Sequence, residues 1–159
     1  MAEEKSGKKK VMVAIDDSDC SKHALKWTLV YLKDSLDDSD IILFTAQPPL
    51  DLSCVYASSY GAAPMELINS MQENHKNAGL NRLEEGAKIC AESGVTPRKA
   101  MEIGNPKEAI CDAVKKLGVD LLIVGSNGKG ALERTFLGSV SNYCVNKAKC
   151  PVLVVRAKA

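Results

Sequence analysis

Four residues between positions 125 and 139 have the types and spacing of an anion cradle. Gly125 and Gly128 are separated by two residues, Gly138 stands beyond a further nine, and Ser139 follows at once. The pattern is G-x2-G-x9-G-[ST], placed directly after the apolar run Leu121–Val124. Glycine at 125 leaves the end of that run without a side chain in the way of a ligand. Gly128 and Gly130 permit turns that bring several backbone N–H groups into one concavity. Gly138 and Ser139 open the next helix, whose N-terminus favours negative charge. The hydroxyls of Ser139 and Ser141 can donate to phosphate oxygens, and Lys129 either adds a cation or points to water. The spacing is neither that of the G-x4-G-K-[ST] phosphate loop nor that of G-x-G-x-x-G. A flexible glycine loop with an ordinary helix cap fits the glycines alone. Their place after a central strand favours binding.

The elements that must carry this loop alternate between strand and helix. Val11–Ile15 is a short apolar run ending in Asp16-Asp17-Ser18, with Ser18 or Asp17 as the cap of a following helix. In that helix Cys20, Ala24, Trp27, Tyr31 and Leu32 share one face, and Lys22, Lys26 and Lys33 lie opposite, which makes Trp27 a core residue rather than a stacking surface. Ile41–Ala46 reads as the second strand. Residues 47–63 form a long irregular stretch, either a lid or disordered. A long helix runs from about Pro64 to Ser93 with the stripe Ile68, Met71, His75, Ala78, Ala87 and Cys90, weakened at Gly79 and Gly86. His75 on that stripe reads as a hydrogen-bonded histidine rather than a metal ligand. Val95–Ile103 reads as an edge strand, since Pro97, Arg98 and Lys99 suit an edge. Asn105, Pro106 and Glu108 form a helix start, with Asn105 as cap and Glu108 completing a box. That helix buries Ala109, Ile110, Ala113, Val114 and Leu117, and Gly118 ends it. Leu121–Val124 is apolar on both faces, as a central parallel strand should be. Val152–Val155 is the fifth strand.

Strands separated by helices imply right-handed crossovers and a parallel sheet. Ligands of such sheets bind beyond the carboxyl ends of the strands, where the winding reverses. The loops carrying Asp16 and Gly125 both compete for that place. Phosphoryl transfer would ask for a positioned water and a metal held by carboxylates. Asp16 and Asp17 are the only carboxylates expected there, so no catalytic residue and no protein metal site is assigned, and any ATP hydrolysis should be slow.

The chain at this point resembles the universal stress protein family, in its short single-domain plant type with the ATP-binding glycine motif. The resemblance covers nearly all of residues 10–157. It rests on VMVAIDDSDCSKHALKW, GNPKEAICDAV, DLLIVGSNGKGALERTFLGSVSNYCV and CPVLVVR. It implies an α/β, Rossmann-like open parallel five-stranded sheet of order 3-2-1-4-5 with helices on both faces. It implies an adenosine contact at Ala14, Ile15 and Asp16, with Asp16 as polar anchor, and a backbone contact to adenine at Ala46. Val124, Gly125, Asn127 and Gly128 match the ribose and phosphate side of the loop. Gly138, Ser139, Val140 and Ser141 match the phosphate cradle at the helix start. A homodimer pairing along Val152–Val155 is also implied.

The bulk properties bound what else the chain could be. Its 159 residues suit a single domain. Residues 1–9 are expected as a flexible tail and 10–159 as the domain. The net charge of +1 gives no broad basic field for nucleic acid, and one Trp, four Tyr and two Phe are too few for a base-stacking surface. Residues 1–10 are polar, without the apolar core of a signal peptide. No apolar run approaches the ~20 residues of a membrane span. The cytoplasm is therefore the expected compartment. The six cysteines show no C-x-x-C pair and read as reduced, mostly buried residues, with Cys54 in its loop the candidate for redox chemistry. The expected function is that of an adenine-nucleotide sensor or signalling module in a stress response. It would bind ATP or AMP, and whether Mg2+ or Mn2+ accompanies ATP is left open. The alternatives are a weak ATPase and a nucleotide-free dimeric interaction module.

Overall fold

A computed structural model describes residues 7–58, 64–127 and 137–157. Five strands, β1 (Lys9–Ala14), β2 (Ser39–Gln47), β3 (Arg98–Ile103), β4 (Leu121–Gly125) and β5 (Val152–Val155), form one parallel sheet in the order β3-β2-β1-β4-β5. The helices are α1 (Asp19–Tyr31), α2 (Lys33–Leu36), α3 (Ser53–Ser58), α4 (Met65–Glu92), α5 (Pro106–Leu117) and α6 (Ser139–Lys147). β1 lies at the centre, with Val11 opposite both Ile41 and Leu121. The strand order turns about between β1 and β4, so the loops leaving those two strands diverge to opposite faces and leave a crevice at their carboxyl ends.

Alternation along the strands divides the core in two. Val11, Val13 and Ile15 pack with Ala24, Leu25 and Leu29 of α1 and with Leu83 and Cys90 of α4. Met12, Ala14, Ile42 and Phe44 pack with Ala109, Ile110, Ala113 and Val114 of α5 and with Cys144 of α6. Strands covered on both faces need apolar residues at every position, which is why β1, β2 and β4 read as unbroken hydrophobic runs.

The buried faces of two helices differ from those expected. In α1 the core side carries Ser21, Ala24, Leu25, Thr28 and Leu29. Tyr31 is 66% exposed, and Trp27 is half-buried beside it, with ring centroids 5.2 Å apart. Thr28 enters the core because its hydroxyl donates to the Ala24 carbonyl (2.8 Å), which satisfies it within its own helix. In α4 the core stripe is Ile68, Gly79, Leu83, Gly86 and Cys90. The two glycines are the points of closest approach rather than weak points. A Cβ on Gly79 would lie 2.5 Å from Met101 Sδ and 2.8 Å from Gln47 Cγ, and one on Gly86 would lie 3.0 Å from Ile15 and Leu43 Cδ1.

Several boundaries also shift. The third strand begins at Arg98 rather than Val95, and β2 extends through Gln47. The stretch 47–63 contains a helix, α3, so Cys54 stands exposed on a helix instead of in a loop. Asp51 holds the start of α3, accepting from Ser53 N (2.9 Å) and from the Ser53 hydroxyl, and these bonds hold its carboxyl below the usual range. Ser18 caps α1 by accepting from Ser21 N (3.2 Å). Asn105 precedes α5 without a side-chain cap bond, Pro106 fills its first turn, and Gly118 closes it at φ +66°. β3 is an edge strand, as its charges suggest.

Candidate functional site at the carboxyl edge of the sheet

A cleft of about 780 Å3 opens over the carboxyl ends of β2, β1 and β4. Every candidate site residue within the described part of the chain lines it. Gly128 lies outside the described residues, as do Lys129 and Gly130.

The β1 end supplies Ala14, Ile15, Asp16 and Asp17. The strand is extended past Ala14 by the bond from Ile15 N to the Phe44 carbonyl (2.8 Å). The chain then turns sharply around Asp16. Its Oδ1 accepts from Ser18 N (2.8 Å) and from the Ser18 hydroxyl, and its own N–H donates to Ser21 Oγ (3.0 Å). This Asx-type turn starts α1 and holds Asp16 in the lining of the cleft.

The β4 end supplies Val124, Gly125 and Asn127, and the start of α6 supplies Gly138, Ser139, Val140 and Ser141. Close approach explains the glycine at 125. A Cβ there would lie 3.0–3.1 Å from the backbone C, the O and the Sγ of Cys20, so the first turn of α1 requires it whatever binds above. Gly138 N donates to the Ser126 carbonyl (2.7 Å), which joins the two ends of the loop. Ser141 is buried, and its hydroxyl reaches the Ser126 carbonyl (2.7 Å) and the Gly138 carbonyl (3.1 Å). With its proton engaged this way, Ser141 braces the cradle from within, whereas Ser139 is exposed on the first turn. α6 carries no side-chain cap at Gly138, which leaves the first-turn N–H groups available to an anion. Beneath them Cys144 is fully buried, and burial pushes its thiol up to about 12.

The β2 end supplies Ala46, Gln47 and Pro48, and α4 supplies His75, Ala78 and Arg82. Arg82 was not among the candidate residues. Its side chain is 11% exposed and makes four hydrogen bonds. Nε and Nη2 donate to Asp17 Oδ1 (2.9 and 2.8 Å), and Nη1 donates to Thr45 Oγ1 and Gln47 Oε1 (2.9 Å each). Gln47 in turn donates from Nε2 to the His75 carbonyl (2.7 Å). One guanidinium thus ties the β1–α1 turn, the end of β2 and α4 together. The signal was present in the sequence. His75, Gly79, Arg82 and Gly86 follow one another at four, three and four residues, which puts an arginine on the sheet-facing stripe of α4.

The arrangement has a polarity. One end offers backbone N–H groups at a helix start, and the other offers Ala46, Pro48 and Ala78 as apolar walls. A phosphorylated ligand with a flat apolar group would lie across β1 with its phosphate toward α6. The universal stress protein family model matches residues 8–156. The chain belongs to the universal stress protein family. It is 34% identical to a universal stress protein A-like protein of Arabidopsis thaliana, over 94% of this chain and 91% of the relative. A crystal structure of an Arabidopsis thaliana universal stress protein family protein with AMP bound is similar at 31% identity and TM-score 0.68, covering 95% of this chain and 93% of that one. The structure of MJ0577 from Methanocaldococcus jannaschii is similar at 27% identity and TM-score 0.74, covering 95% and 97%. The Rossmann-like sheet order read from the resemblance is the order observed.

Proposed function

We propose that this protein binds an adenine nucleotide, AMP or ATP, in the carboxyl-edge cleft, and that occupancy of the cleft makes it a sensor or signalling module in a stress response. The observation that carries the reading is the polarity of the cleft, with the uncapped α6 start and the Gly125–Asn127 turn at one end and Ala46 and Pro48 at the other. Phosphates would sit against Gly138 and Ser139, the ribose beside Asp16, and the base against the end of β2. The AMP named in the similar Arabidopsis structure supports the class of ligand. Gly128 would belong to the same cradle.

The cleft offers two carboxylates among the described residues, and Asp17 is bound to Arg82. Among the described residues no group of three His, Cys, Asp or Glu is placed to hold a metal ion. Mg2+ or Mn2+ arriving with ATP would find, among the described residues, Asp16 beside phosphate oxygens and water. Hydrolysis under those conditions would be slow.

The two sheet edges differ in a way that supports a homodimer through β5. β3 carries Arg98 and Lys99, paired with Asp40 and Glu84, as a protected edge does. β5 is four aliphatic residues whose outer edge pairs with no strand among the described residues, suited to a second copy. Among the described residues no helix is long and apolar enough to cross a membrane. Six cysteines with no disulfide between them suit the reducing cytoplasm.

The test is to denature freshly purified protein, identify any released small molecule by mass spectrometry, and titrate AMP, ADP and ATP calorimetrically with and without Mg2+. An adenine nucleotide in the extract, or micromolar binding that Gly128→Val abolishes without unfolding the protein, is the expected result. No nucleotide and no binding would leave a folded interaction module. Gly128→Val binding as tightly as the parent would refute the cradle.

A further inference from the structure

Beyond the β2 end of the cleft lies a second groove of about 560 Å3, lined by Pro49, Leu50, Asn69, Gln72 and Ile103 among others. It sits past the carboxyl end of β3, next along the sheet edge, since Ile103 is the register partner of Gln47. Among the described residues His75 alone lines both spaces. Its ring reaches from α4 to Pro48, which lines the cleft, next to Pro49, which lines the groove. His75 Nε2 donates to the Pro48 carbonyl (2.5 Å), the imidazole taking the donor role because a carbonyl only accepts. The backbone of His75 is held independently, through its own carbonyl and Gln47 Nε2 (2.7 Å).

We infer that the His75–Pro48 hydrogen bond is the end-stop of the cleft and determines its selectivity for nucleotides whose base carries no substituent on the edge remote from the ribose. The inference rests on the cleft reading proposed above. With phosphate at α6 and the base against Ala46 and Pro48, the six-membered ring of the purine points toward His75. Its N6 and C2 positions are those farthest from the ribose. A bulky group on either would have to displace the imidazole. Once past it, the group would meet Pro49, Leu50 and Ile103 together with the polar Asn69, Gln72, Glu73 and Lys76. Removing the imidazole should therefore join two spaces that the wild type keeps apart. It should do so without loosening α4, because the Gln47 bond uses the main chain of residue 75.

The experiment is a calorimetric comparison of AMP, N6-benzyl-AMP and 2-phenyl-AMP on the full chain, using wild type, His75→Ala and His75→Ser. Wild type is expected to bind at least one substituted nucleotide about tenfold or more weaker than AMP, while in the variants the affinity for that same analogue relative to AMP rises about tenfold. Ile103→Trp, added to His75→Ala, should fill the groove and reverse the gain while leaving AMP binding in place. A merely structural role for His75 would weaken all ligands and would not yield a selective gain. Variants that gain nothing for either analogue, a wild type that accepts both as well as AMP, or a gain that survives Ile103→Trp would each overturn the inference. A wild type that does not bind AMP would overturn the cleft reading first, and this inference with it.

Discussion

Arg82→Met should destabilise the protein, and the cost should come from Gln47 rather than from the lost ion pair. The four N–H bonds of Arg82 end on three unequal acceptors. Asp17 is 56% exposed, so water replaces the guanidinium there, and a pair of this kind is worth up to about 1 kcal/mol. Thr45 is fully buried, but its hydroxyl keeps its own bond to the Ile15 carbonyl (2.8 Å). Gln47 is 4% exposed and receives Arg82 Nη1 at Oε1. Its amide cannot flip to compensate, because Nε2 is held by the His75 carbonyl. An acceptor stranded in that way costs about 1–3 kcal/mol. The expected total is about 2 kcal/mol, read from urea unfolding as a lower midpoint at unchanged slope. For a chain of this length that corresponds to a melting temperature lower by about 4–8 °C. Asp17→Asn should cost about 0–1 kcal/mol. Gln47→Met combined with Arg82→Met should be less destabilised than the sum of the two single variants, with a coupling of about 1–2 kcal/mol. Arg82→Met within about 0.5 kcal/mol of wild type, or Asp17→Asn as costly as Arg82→Met, would refute the assignment of the energy to Gln47.

The α4 glycines should respond to alanine in different degrees. Gly79→Ala drives a Cβ into Met101 Sδ and Gln47 Cγ and should cost about 1–3 kcal/mol in urea unfolding, more than the helix-propensity gain returns. Gly86→Ala meets the terminal methyl groups of Ile15 and Leu43 at 3.0 Å, a milder overlap, and should cost less than Gly79→Ala by the same measurement. Burial pushes the thiols of Cys90 and Cys144 from 9.0 up to about 11 and about 12. The folded state therefore favours their protonated forms, so this contribution is intact below the unfolded value near 9 and declines as pH rises toward the folded values. Unfolding midpoints should fall above about pH 9, and Cys90→Ala with Cys144→Ala should flatten that fall. In the native protein at pH 8, a thiol reagent should modify exposed Cys54 first and reach Cys90 and Cys144 only after denaturation.

What the sequence conveyed and what it withheld follow from two different periodicities. Strands buried on both faces announce themselves as apolar runs, so β1, β2 and β4 were legible from Val11, Ile41 and Leu121 onward, while their order in the sheet came from the family resemblance. Of the glycine pattern, the described Gly125 and Gly138 line the cleft, and Gly125 is also required by its contact with Cys20. The faces of α1 and α4 were misread because hydrophobicity was taken as the guide to burial. α4 meets the sheet through Gly79, Gly86 and the guanidinium of Arg82, whose burial depends on Asp17, Thr45 and Gln47, residues 35 or more positions away in sequence. No window of sequence contains both a buried arginine and the acceptors that make its burial tolerable. The same holds for His75, whose partner is the carbonyl of Pro48, a group common to every residue type. The β4–α6 side of the cleft is therefore local and readable, whereas its α4 wall is built by tertiary contacts. That division has a functional consequence. In the proposed reading, phosphate capture would use main-chain groups on the readable side, while the length and shape of what lies beyond the ribose would be set by side chains on the wall that only the folded chain brings together.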